Sequence, residues 1–171
     1  MKQAIAALLL LLLTTEAQAN QVFERYVQWI VNNSELEYNG EPLPGVQTVS
    51  QEQLKIIAYG EAVVKDAQAR EVELPNIVAV YNHDIDTIIV PNNIDLNNWN
   101  NHHVIVHELV HYLQDINGYY ELPKYVACQT ALEELAYELH LKWMDEVDHP
   151  GTRPNALFIH MLLASCSNVH M

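Results

Sequence analysis

The sequence predicts a single α+β domain, mainly helical, with one small β-hairpin beside its central helix. Three observations carry this expectation. Apolar residues recur at helical spacing over most of the chain. Two short β-branched runs, Ile77–Tyr81 and Thr87–Val90, flank a polar turn. The 171 residues are half hydrophobic, with no repeat or low-complexity tract, which suits one modest core and not two.

Charge narrows the partners. With 22 acidic against 8 basic side chains, the formal net charge is -14. A surface this acidic repels nucleic acid and anionic membranes, so neither is expected as a partner.

Residues 1–19 read as a secretory signal: Lys2 begins it, Ala4–Leu13 forms a short apolar core, and Ala17-Gln18-Ala19 supplies a small-x-small cleavage site. The apolar run is too short to span a bilayer. The expected mature domain is therefore 20–171, secreted or periplasmic, with no membrane span after cleavage.

Val22–Val31 places Val22, Tyr26, Trp29 and Ile30 on one helical stripe. Pro42-Leu43-Pro44-Gly45 is a turn-rich connection, and Ser50-Gln51-Glu52-Gln53 has the pattern of a capping box opening a helix towards Gly60 or beyond. Asn82, His83, Asp84 and Asp86 suit the turn between the two β-branched runs. The Asn-rich segment after Pro91 leads into the central helix, with Asn100 or Asn101 placed to cap it.

That helix carries His107-Glu108-Leu109-Val110-His111. Histidines four residues apart lie about 40° apart around the axis, so both imidazoles reach one Zn²⁺. Glu108 cannot point with them, and instead stands where it can take a proton from a metal-bound water. Ile105, Val106, Leu109, Val110, Leu113 and Ile116 gather on an apolar arc, with the motif, Gln114 and Asp115 opposite. His103 lies one turn earlier, but helical drift carries it about 80° from His111, too far for an easy shared metal.

A catalytic zinc requires a third protein ligand and one open position. Gln114 and Asn117 occupy the places where metzincins carry a glycine and a third histidine, so the third ligand is sought on a second helix, Tyr125–Val147. Two adjacent glutamates compete there. Glu133 borders the apolar arc of Leu132, Leu135, Ala136, Leu139 and Trp143, beside Tyr137, His140 and Met144; Glu134 falls about 100° round, with Glu138 and Lys142. Glu133 is the favoured ligand and Glu134 the alternative.

From Ile77 to Met144 the chain resembles small secreted gluzincin-like zinc proteins, with Glu133-Glu134-Leu135-Ala136 matching their Glu-x-x-Ala segment. The resemblance implies a zincin-like fold, one Zn²⁺ held by His107, His111 and Glu133, Glu108 as general base, and a strand just before the active helix that holds an extended peptide or protein substrate by edge pairing. Where many gluzincins carry an aspartate that orients the first histidine, this chain has Tyr137, so that support must come from elsewhere. A zinc site that merely ties two helices together, and an amidase acting on cell-wall material, are the alternatives to a metallopeptidase. Tyr137, His140, Tyr119 and Tyr120 are candidates for oxyanion donors.

Asp148-His149-Pro150-Gly151 breaks the second helix, and Pro154 or Asn155 opens another that carries Leu157, Met161, Leu162 and Leu163 as packing residues and His160 as a core or interface histidine. Cys128 and Cys166 are the only cysteines, and export favours their pairing, with two buried thiols the alternative.

Overall fold

A computed structural model describes residues 21–157 and 159–160. It is a mixed α+β arrangement, mainly helical, with a three-stranded sheet. The expected signal segment lies outside the described residues. So do Cys166, and with it the expected Cys128–Cys166 pairing, and Met161–Leu163.

Helix α1, residues 21–32, buries Tyr26 and Ile30 of the expected stripe together with Phe23 and Val27, while Val22 and Trp29 are only half-buried against the core. Strand β1 (Gly45–Val49) follows, an element without an expectation above it. Four of its five residues are exposed, so its alternation carries no core-facing signal. Helix α2 (Gln51–Tyr59) opens with the anticipated capping box: Ser50 Oγ accepts from Gln53 N, and the Gln53 side chain accepts from Ser50 N. It ends at Gly60, whose φ of +83° only glycine adopts freely, and α3 (Glu61–Ala69) leaves at once in a new direction.

Strands β2 (Val80–Asn82) and β3 (Thr87–Pro91) form the expected antiparallel hairpin, with Tyr81 opposite Ile88. The first strand is shorter than its β-branched run, because Ile77–Ala79 precedes the ladder. The Ile77 carbonyl is instead taken by the Gln51 side chain at 2.9 Å. Parallel β1 occupies the other side of β3, giving the order β1-β3-β2. Central β3 is buried from Ile88 to Pro91 and is paired on both sides, so the strand just before the active helix has no free edge, contrary to expectation; β2 is the edge instead.

Helix α4 (His102–Ile116) runs through the core. Ile105, Val106, Leu109, Val110 and Leu113 are fully buried, each stabilising the fold by about 1.5–3 kcal/mol on transfer arguments. The polar side of this helix is covered as well: Glu108, His111 and Gln114 are buried. Neither Asn100 nor Asn101 gives it a side-chain cap. Asn98 instead accepts from Asn100 N, capping the 3-10 turn Trp99–Asn101 that feeds the helix.

The expected long helix from Tyr125 to Val147 is broken. Short α5 (Pro123–Ala127) gives way to extended backbone at Cys128 (φ -149°, ψ 95°), then a 3-10 turn over Gln129–Leu132, then α6 (Glu133–Glu146). The break contains neither proline nor glycine. A buried side chain holds the turn, since Gln114 donates to the Leu132 carbonyl at 2.8 Å. Leu132, Ala136, Leu139 and Trp143 are buried as the wheel anticipates, whereas Leu135 is only half-buried and Met144, expected beside the arc, is buried with it. Ring contacts step from His107–Tyr137 to His103–His140, so α4 and α6 are antiparallel. Tyr26 of α1 closes the far end of this pair through His102 and Trp143.

After the break at 148–151, Asn155 Oδ1 caps Leu157 N at 2.8 Å and helix begins at residue 156. Leu157 is 66% exposed and so does not serve the packing role expected of it, and His160 is exposed and therefore not a core residue. Among the described residues no helix is long and apolar enough to cross a membrane.

Candidate metal centre

Where α4 faces the start of α6, three side chains converge. His107 Nε2 lies 3.2 Å from His111 Nε2 and 3.1 Å from Glu133 Oε2, while His111 Nε2 lies 3.4 Å from Glu133 Oε1. Two nitrogens and a carboxylate drawn this close together are a group that could hold a metal ion. Glu134 is exposed, away from this point. Glu133 sits in the first turn of α6, where the helix N-terminus favours a carboxylate. Burial pushes the Glu133 carboxyl up, but its hydrogen bonds to His107 and His111 outweigh this and hold it far below the usual range.

Gln114 supports the site from behind. Its Oε1 accepts from His111 Nδ1 at 2.9 Å, so Nδ1 carries a proton and Nε2 is the nitrogen turned to the triad. Its Nε2 holds the Leu132 carbonyl, one residue before Glu133, so a single amide fixes two ligand-bearing segments against each other. Helical phase puts Gln114 on the polar side of α4; burial of that side is what gives it this role.

Glu108 points towards β2. Its Oε2 accepts from the Tyr81 backbone N–H at 2.7 Å. The Tyr81 hydroxyl lies 2.8 Å from Asp115 Oδ2 and 3.0 Å from Asp86 Oδ1, donating to these carboxylates and pinning the strand to α4. Burial raises the Glu108 pKa, against the opposing pull of His107 and His111. A carboxylate with raised proton affinity beside a metal site suits a general base near neutral pH.

These groups lie along a cleft of about 960 Å³. Tyr120, Tyr137 and His140 line it, whereas Tyr119 packs against Tyr125. Burial pushes the Tyr137 phenol up to about 12, so it stays protonated and can donate. His103 stands outside the triad, between His140 and His149. His83 and Asp84 remain in the hairpin turn on the rim, the His83 ring tilted against that of Tyr120 at 4.7 Å. His149, to which the sequence assigns no role, is buried between Trp99 and Trp143, with Nε2 2.9 Å from the Trp99 carbonyl and Nδ1 accepting from Gly151 N.

The titrations set a pH optimum for the chelated protein. Burial alone lowers the His111 pKa, but Glu133 raises it to about 9. Its contribution, like that of Glu108, is present at low pH and lost as pH rises through the folded value. Burial lowers His103 to about 4 and His140 to about 3. Their contributions are present above the unfolded value of 6.5 and lost as pH falls, joined in stronger acid by that of Glu133. The melting temperature of the chelated protein should therefore peak near pH 6.5 and fall both towards pH 9 and towards pH 4. Zinc requires neutral His111, so the alkaline fall should flatten in zinc-loaded protein. A steady rise from pH 6.5 to 9 in the chelated protein would contradict these assignments.

No curated protein and no solved structure matches the chain. A family described as a domain of unknown function (DUF6647) matches residues 15–171, nearly the whole length, and the chain belongs to that family.

Proposed function

We propose that this protein is a small exported zinc-dependent hydrolase, a gluzincin-like metallopeptidase of zincin-like architecture. The observation that carries the reading is the placement of buried Glu108 beside the His107–His111–Glu133 donor set on an open cleft. His107, His111 and Glu133 hold one Zn²⁺. The ion supplies Lewis acidity, acidifying water and polarising the scissile carbonyl. Glu108 takes the proton of the attacking water and passes it to the leaving amine. Tyr137 and Tyr120, protonated phenols on the cleft wall, are the candidate donors to the developing oxyanion. An extended peptide lies along the β2 edge, although the Tyr81 amide is already given to Glu108, so the edge offers less than a full ladder.

A site that only ties two helices together gains nothing from a buried carboxylate held beside the ligands, and this favours catalysis. The test is digestion of a broad peptide library and of cell-wall peptides by the mature protein, with and without chelator. Cleavage that chelator abolishes and Zn²⁺ restores is the expected result. Cleavage confined to cell-wall amides would identify an amidase. Bound zinc with no cleavage of either would leave the structural role.

A further inference from the structure

Next to the triad, α4 and α6 carry further imidazoles with buried nitrogens that find no hydrogen-bond partner among the described residues. His111 is oriented by Gln114, but the other histidine of the motif has no such partner: His107 Nδ1 is buried without a hydrogen bond. Tyr137, at the position where many gluzincins carry an aspartate, lays its ring against His107 at 4.7 Å. One turn further along α6 is His140, 5% exposed, with neither ring nitrogen hydrogen-bonded. The ring centres of His107 and His140 are 5.6 Å apart. His103, whose Nδ1 is also buried and unpaired, lies 5.2 Å from His140. Such a concentration of unpaired buried nitrogens is costly, and native structures pair such groups, with protein or with ordered water.

We propose that one buried water bridges His107 Nδ1 to His140, making His140 the positioning residue of the first metal ligand. The inference rests on the reading of His107 as a ligand. A histidine that binds metal through Nε2 carries its remaining proton on Nδ1 and must donate it. An imidazole in its neutral form offers one lone pair, so His140 and His103 can each accept from a water. The water accepts from His107 and has two protons to give, one to His140 and one towards His103. Two to four polar partners is the ordinary number for a buried water, and one water spans imidazoles too far apart for a direct bond. His107 is thereby backed by neutral groups where a carboxylate would make it more basic, which leaves more Lewis acidity on the ion.

A high-resolution crystal structure of the zinc-soaked mature chain should show solvent density within hydrogen-bonding distance of both His107 Nδ1 and a His140 nitrogen. Zinc in the triad with no solvent there, or a second metal ion there, would overturn the bridge alone. The solvent peak without zinc in the triad would overturn the metal reading alone. In solution, His140→Leu should weaken zinc binding about 10- to 100-fold. It should also abolish the exchange-protected His107 Nδ1–H resonance of the zinc-loaded protein. His140→Gln, whose amide can rejoin the water, should retain both. Parent-like affinity and resonance in a folded His140→Leu variant would overturn the positioning role; if that variant does not fold, the crystal structure and His140→Gln decide.

Discussion

Zinc-loaded Glu108→Gln is expected to keep its metal and lose turnover by about 10²-fold or more, the usual size of a general-base loss. The substitution preserves length, and the amide oxygen can still accept from Tyr81 N–H, so β2 stays pinned to α4. What it removes is the capacity to take a proton. Because Glu108 is not a member of the donor set, zinc content should match the parent. Kinetics on whichever peptide the library digest identifies, alongside metal analysis, separate the two effects. Undiminished hydrolysis would take Glu108 out of the mechanism, and loss of zinc would mean that it acts as a ligand.

The other large effect is at the third ligand. Glu133→Ala leaves two histidines and opens a second solvent position, so zinc retention against a chelator should collapse. Two imidazoles with nitrogens 3.2 Å apart would then lose the carboxylate that lies within 3.4 Å of both. Glu134→Ala should be nearly silent, since Glu134 is exposed and turned away from the donor set. Chelator competition on the parent and both variants reads the difference. Equal retention by Glu133→Ala and the parent would show that the carboxylate is wrongly chosen, and selective loss in Glu134→Ala would name its replacement.

The site is legible in the sequence because helical phase is local. His107 and His111 share a face by their spacing alone. Glu133 is favoured on a wheel drawn for a helix that is too long; the structure still brings it beside His107 and His111, because its phase relative to Ala136, Leu139 and Trp143 does not depend on where the helix begins. Contacts that depend on tertiary placement are not legible. Nothing in the residue types announces that a backbone amide of Tyr81 meets Glu108, or that Gln114 reaches across to the Leu132 carbonyl. The break at Cys128 is hidden for the same reason, because long-range hydrogen bonding holds a turn where local propensity favours helix. Strand β1 escapes notice because its exposed residues leave no alternation against a core. His140 is marked by its phase as facing the site, but its pairing with His103 and proximity to His107 emerge only once the helices are set antiparallel.

The central claim is that one zinc ion sits between α4 and α6. Anomalous diffraction from zinc-soaked crystals of the mature protein, collected on both sides of the zinc absorption edge, tests it most directly. The expected result is one strong peak about 2.0–2.2 Å from His107 Nε2, His111 Nε2 and a Glu133 carboxylate oxygen. No peak at that point, or a sole peak elsewhere in the cleft, would contradict it.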